Sequence, residues 1–194
     1  MAWTWSPRGK LRRLVSILNT SAQYSASNSE NVQAGIAGGQ SSRSETEART
    51  LSPSFNVTWG GGISTSLQYN KTRTDGLTSG NINRRERRDW NVSVNFLFRT
   101  PIVRLPNQVR TTASYRRTTE TVCLIQAGTD ECVPISESYR KVIDLRMDTG
   151  VSPQLRAGAN FSYSLNAQRQ TSQERSTMVF SIFAEVFLVS GQLR

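Results

Sequence analysis

The chain contains no histidine. That removes Ser-His and Cys-His catalytic pairs, the usual general base near neutral pH and the commonest metal ligand. It has only two cysteines, too few to fill a tetrahedral thiolate site. Long apolar runs are also missing. The richest segment, MVFSIFAEVFLV at 178–189, is too short for a membrane helix and contains Glu185. The opening stretch, MAWTWSPRGKLRR, has no apolar core ahead of its charges, so no export signal is read there. Zinc-finger, helix-turn-helix and RNA-binding signatures are absent. These gaps lead us to expect no enzyme activity, no cofactor and no metal site.

What is present is polar and basic. The 194 residues include 24 Lys and Arg against 14 Asp and Glu, for a net charge of +10. The hydrophobic fraction is 36% and the mean hydropathy −0.46. Such a composition fits a disordered chain, or a barrel with one face to lipid and one to water. The basic residues are scattered and accompanied by acids, so no nucleic-acid partner is expected. Meeting lipid phosphates accounts for the charge equally well.

The dominant pattern is alternation with period two. In DWNVSVNFLFR (89–99), Trp90, Val92, Val94, Phe96 and Phe98 take one face. Asn91, Ser93, Asn95 and Arg99 take the other, with Leu97 the apolar exception. SFNVTW (54–59), GISTSLQYN (62–70) and LRAGANFSYSLNAQ (155–168) repeat the theme through Trp59, Tyr69, Phe161 and Tyr163. No helix presents an apolar face at this spacing. Eight strands are predicted, at 11–26, 44–59, 62–74, 84–99, 108–122, 136–151, 154–169 and 175–190. Trp3 and Trp5 read as the tail of a further strand before the turn SPRGK. Pro53 predicts a bulge or break in its strand.

Connections are predicted to alternate. Gly60–Gly62, Pro101–Asn107 and Ser152–Pro153 make short ones. Stretches 27–43, 75–83 and 123–135 make longer polar loops, and 170–174 is short for that class. The last strand is apolar on both faces, with Met178, Phe180, Ile182, Val186 and Leu188 on one. Val179, Phe183, Phe187 and Val189 lie on the other with Glu185, so its inner face is expected to pack against a plug or another segment.

Few residues suggest chemistry. Cys123 and Cys132 flank LIQAGTDE, and in an oxidising compartment they are candidates for a disulfide stapling a loop tip. The run RRERR offers Arg84, Arg85, Arg87 and Arg88 as contacts for lipopolysaccharide phosphates, since guanidinium forks suit phosphate; the plainer reading is a solvated strand end. Charge left unmatched by acids sits nearer the short turns, at Arg8, Lys10, Arg12, Arg13, Arg99, Arg104 and Arg110. Asp144, Arg146, Asp148, Arg156 and Glu185 share the polar face and form either a lumenal ion-pair ladder or ordinary cross-strand pairs.

LSPSFNVTWGGGISTSLQYNKTRTDG, RRDWNVSVNFLFRTPIVRLPNQVRTTASY and the closing ERSTMVFSIFAEVFLVSGQLR resemble the carboxy-terminal strands of the SprA family, the giant barrels of type IX secretion. The resemblance covers most of the chain and rests on texture, with no catalytic motif. It implies a conduit through which secreted protein cargo crosses a Gram-negative outer membrane. The chain departs from many outer-membrane barrels in ending Gly191-Gln192-Leu193-Arg194 instead of on an aromatic residue.

The expectation is therefore an all-β fold: residues 1–194 as one antiparallel transmembrane β-barrel segment of about eight strands, part of a larger barrel. Trp59, Tyr69, Trp90, Val92, Val94, Phe96, Phe98, Phe161 and Tyr163 are expected to face lipid. The expected partners are membrane lipid, lipopolysaccharide, the remaining strands of the same protein and secreted cargo. The rival readings are a complete eight-stranded anchor or adhesin, and a soluble basic β-protein that binds nucleic acid.

Overall fold

The computed structural model describes residues 1–7, 14–33, 42–78, 81–99, 108–126 and 131–187. Nine strands follow one another: β1 Ala2–Trp5, β2 Val15–Gln33, β3 Ser42–Trp59, β4 Ser64–Thr78, β5 Asn81–Phe98, β6 Val109–Ile125, β7 Cys132–Ser152, β8 Leu155–Gln168 and β9 Gln173–Val186. They form a single antiparallel sheet in sequence order. The eight predicted strands are β2–β9, and the Trp3–Trp5 tail is β1, paired with β2 from Ala2↔Ser21 to Trp5↔Leu18. Among the described residues no helix is long and apolar enough to cross a membrane.

The sheet is open. Among the described residues β1 pairs only with β2 and β9 only with β8, so each end of the described sheet carries an unpaired edge. Among the described residues no second layer covers either face. Among the described residues, only Val109, Cys123 and Ile125 are buried hydrophobics. A domain core needs two packed layers, and this sheet supplies one.

The predicted long loops are a correction. β2 runs on to Gln33, β4 to Thr78, β6 to Ile125, and β7 begins at Cys132. Most of 27–43, 75–83 and 123–135 is therefore strand. Asp-Gly is a common hairpin-turn pair. Here both residues lie mid-ladder, with Asp75↔Arg84 and Gly76↔Asn83 opposite each other. Polar and charged side chains keep these ladders going because they pair across strands. The real tight turn is at Gly61 and Gly62, whose φ values of 85° and 83° suit glycine.

Pro53 breaks the ladder on one side, as expected, without a bulge. Pairing of β3 with β4 lapses between Leu51↔Lys71 and Ser54↔Gln68 and resumes in the same register. Pairing with β2 continues through Ala22↔Pro53. The missing N–H removes a ladder bond on one side only, and the Ser52 hydroxyl donates to Asn70 Oδ1 across the gap at 3.4 Å.

Candidate functional site: a two-faced sheet

Directly opposed residues in a sheet point to the same face, so the register assigns every side chain. One row runs Thr20↔Phe55↔Leu67↔Val92↔Tyr115↔Ile143↔Tyr163↔Met178. The next runs Leu18↔Val57↔Thr65↔Val94↔Ala113↔Leu145↔Phe161↔Phe180, with Trp5 opposite Leu18. We call this face A. All nine residues expected to face lipid lie on it.

Face A carries a continuous apolar band. On β3 it spans Leu51–Trp59, on β5 Trp90–Phe98 and on β9 Met178–Val186. Each span is about 26 Å along a strand at roughly 3.3 Å per residue. The apolar belt of outer-membrane barrels is about 25 Å tall. The band also drifts. The row through Leu51 passes Lys71, Arg88, Thr119, Tyr139 and Ala167 to reach Glu174. Relative to that row, the band begins two residues further along on β5 and four on β9. Strands tilted against a flat apolar slab produce such a stagger.

Aromatic residues mark the band. The rings of Tyr69 and Trp90 lie 4.5 Å apart, and those of Phe96 and Phe98 5.8 Å apart. Trp59 Nε1 donates to Thr65 Oγ1 at 2.9 Å. Many of these side chains are uncovered: Phe55 is 45% exposed, Trp90 44%, Phe180 65% and Ile182 76%.

Face B is polar. Across β2–β4 it consists of Asn19, Ser21, Gln23, Thr50, Ser52, Ser54, Asn56, Ser64, Ser66, Gln68, Asn70 and similar residues. Among the described residues this part of face B carries no charge. Hydroxyls and amides bond across strands, as in Ser21–Ser54 at 2.6 Å and Asn91 Nδ2 to Gln68 at 3.4 Å. From β5 onward face B is charged. Arg156 Nε donates to Asp148 at 3.0 Å, Arg146 Nε lies 3.5 Å from Asp148, and Ser162 donates to Asp144 at 2.7 Å. Glu185 stands opposite Arg156. The five predicted ladder residues thus share this face.

Phe183 lies on the same face as Glu185, as expected. It turns to face B, as its place in the alternation requires, but it packs within the sheet. Its ring covers Gly158, where an added Cβ would meet Phe183 Cζ at 2.6 Å. The Arg146 guanidinium sits 5.3 Å from the ring centroid. A bulky aromatic beside a bare glycine shields its backbone. Val179 remains 54% exposed on this face.

Above the band, towards the β4–β5 hairpin, face A becomes ionic. Asp75 accepts from Arg73 and from Arg84 Nε at 2.9 Å. Lys71 lies 3.3 Å from Glu86, which also pairs with Arg88. Burial would push Asp75 up, but hydrogen bonds from Arg73 and Arg84 outweigh it and hold the carboxyl below its ordinary range. Glu86 is lowered in the same way, with Arg88 and Lys71 overcoming burial.

The RRERR run is divided by the alternation. Arg84 and Arg88 lie on face A. Arg85 and Arg87 lie on face B, bound to Glu120 at 2.7 Å and Asp89 at 2.8 Å. The four guanidiniums form no single cluster, and each has a carboxylate partner. Cys123 and Cys132 are joined in a disulfide, with Cα atoms 5.5 Å apart. It ties strand ends together, because β6 and β7 extend to it. Arg8, Lys10, Arg12, Arg13, Arg104, Leu188, Val189 and the four C-terminal residues lie outside the described residues. Among the described residues no group of three or more His, Cys, Asp or Glu side chains is placed to hold a metal.

No protein-family model, curated protein or solved structure matches this chain.

Proposed function

We propose that this chain is a stretch of wall in a large outer-membrane barrel that serves as a protein secretion conduit of the SprA type. The observation that carries the reading is the apolar band of face A backed by the polar face B. An uncovered apolar surface of this extent needs lipid or a partner layer. Its height and stagger suit a bilayer crossed by tilted strands. Face B then lines the lumen, where hydroxyls, amides and paired charges meet water and passing cargo. Arg84, Arg88, Lys71 and Arg73 lie at the level of lipid headgroups and lipopolysaccharide phosphates.

The edges support a larger barrel over a small closed one. In a nine-stranded meander β1 and β9 run in the same direction, so closing between them demands a parallel pair. Bacterial outer-membrane barrels close with even numbers of antiparallel strands. Unpaired edges within hydrocarbon are not tolerated, so both edges pair with remaining strands of the same protein.

Cross-linking in secreting cells tests this. A photo-reactive cysteine label at Ser66 on face B is expected to trap secreted protein, while the same label at Leu67 on face A traps lipid only. Equal capture of secreted protein from both positions, or from neither, contradicts the reading.

A further inference from the structure

Two arginines on face B, Arg140 and Arg175, have no carboxylate or hydrogen-bond partner among the described residues. Arg140 stands opposite Thr118 and Asn166, and Arg175 stands on the far side of Asn166. Arg116 lies diagonally below Arg140, opposite Val142, and its charge acts on the Asp89 carboxylate. All three are exposed. Arg140 and Arg175 contrast with Arg85, Arg87 and Arg156 on the same face, which are each bound to a carboxylate. Arg140 and Arg175 line a hollow of about 790 Å³ together with Thr118, Asn166 and Gln168.

We propose that this hollow binds an extended acidic polypeptide segment, with Arg140 and Arg175 each gripping one carboxylate. The two arginines are two strand spacings apart, about 10 Å at the backbone. Residues three apart on one side of a polyproline II chain are separated by about 9 Å, which matches. Guanidinium forks take carboxylates through two parallel hydrogen bonds. Asn166 and Gln168 both donate and accept, which suits peptide amides between the carboxylates. A phosphate, which takes only donors, would leave their acceptors unused. The hollow's lining also includes Glu120 on face B, already engaged by Arg85, and Glu174 at its rim on face A. These repel a dense polyanion but leave room for spaced single charges. The site stands on this geometry whether or not the sheet belongs to a secretion conduit. In a conduit it lies on the lumenal wall beyond the lipid band.

Fluorescence anisotropy with a labelled peptide of repeated Glu-Pro-Pro, titrated with the whole chain in detergent, tests the site. Binding is expected to weaken at least about tenfold in the Arg140→Gln, Arg175→Gln double variant. It is expected to weaken as much when the peptide carries Gln for Glu, an arm that leaves the protein unaltered. Raising salt should weaken it too. Arg49→Gln, on face A, should change nothing. Unchanged binding in the double variant, or equal binding of the Gln peptide, overturns the proposal. So does inorganic phosphate displacing the peptide at matched charge, which would mark a small-anion site instead.

Discussion

Strand β5 holds two regimes end to end. From Trp90 to Phe98 apolar side chains alternate with mostly polar ones, so one face is dry in character and the other wet. From Ile82 to Asp89 charge appears on both faces: Arg84, Glu86 and Arg88 on face A, Arg85, Arg87 and Asp89 on face B. Both halves keep the same ladder with β4 and β6. The difference teaches what each half needs from its surroundings. The charged half supplies its own partners across strands and tolerates water on both sides. The banded half leaves face A without partners and needs a non-aqueous medium against it.

The largest expected effect comes from carrying the charged regime into the banded one. Val94→Arg places a cation near the middle of face A and should cost about 2–4 kcal/mol of membrane-inserted stability. Ser93→Arg, one residue away on face B, should cost far less. Refolding into lipid vesicles with denaturant titration measures both, and equal losses would break the assignment of faces.

A smaller effect is expected at the β6–β7 tip. Replacing Cys123 and Cys132 together by Ser opens a loop of about ten residues, worth roughly 2–3 kcal/mol in chain entropy. Hydrogen exchange should quicken at the tip amides and stay unchanged in the band. Uniform quickening across β5–β8 would show that the disulfide supports the whole sheet.

The smallest effect separates the two halves by pH. Asp75 and Glu86 titrate below their ordinary range. Their contribution is therefore complete above the ordinary carboxylate range and is lost as pH falls through their lowered values. Below about pH 4 the charged half of β4–β5 should loosen, by roughly 1 kcal/mol or less per pair, since the basic partners are partly solvated. The band should hold. Hydrogen exchange measured from pH 5 downward tests this, and loosening of the band first would contradict it.

The banded half was legible in the sequence as strand and face, and the charged half as strand from Arg84 and Ser44 onward, but not in its full length or its pairing. Alternation through Trp90–Phe98 and Leu155–Leu165 names both strand and face, because each segment carries its own apolar signal. The charged segments 84–89 and 44–49 were included in predicted strands without such a signal, while 27–33, 75–78 and 81–83, which also lack it, were read as loop. What makes them strands lies in partners elsewhere: Asp75 for Arg84, Glu120 for Arg85. The same limit hid the hollow around Arg140 and Arg175, which lie on separate strands and meet only through the register at Asn166. RRERR is one run along the chain but two sets in space, because consecutive strand residues point to opposite faces. Phe183 over Gly158 was likewise invisible, since neither residue marks the other in sequence.

The most direct test of the two-faced account is residue-by-residue accessibility in lipid. Single nitroxide labels are placed from Asn91 to Phe98 in a cysteine-free variant reconstituted in vesicles. Collision rates are then measured with oxygen, which partitions into lipid, and with a water-soluble nickel complex. The account predicts strict alternation, with oxygen favoured at Val92, Val94, Phe96 and Phe98 and nickel at Asn91, Ser93 and Asn95. Labels on face A that are open to nickel, or closed to both reagents as in a protein core, would contradict it.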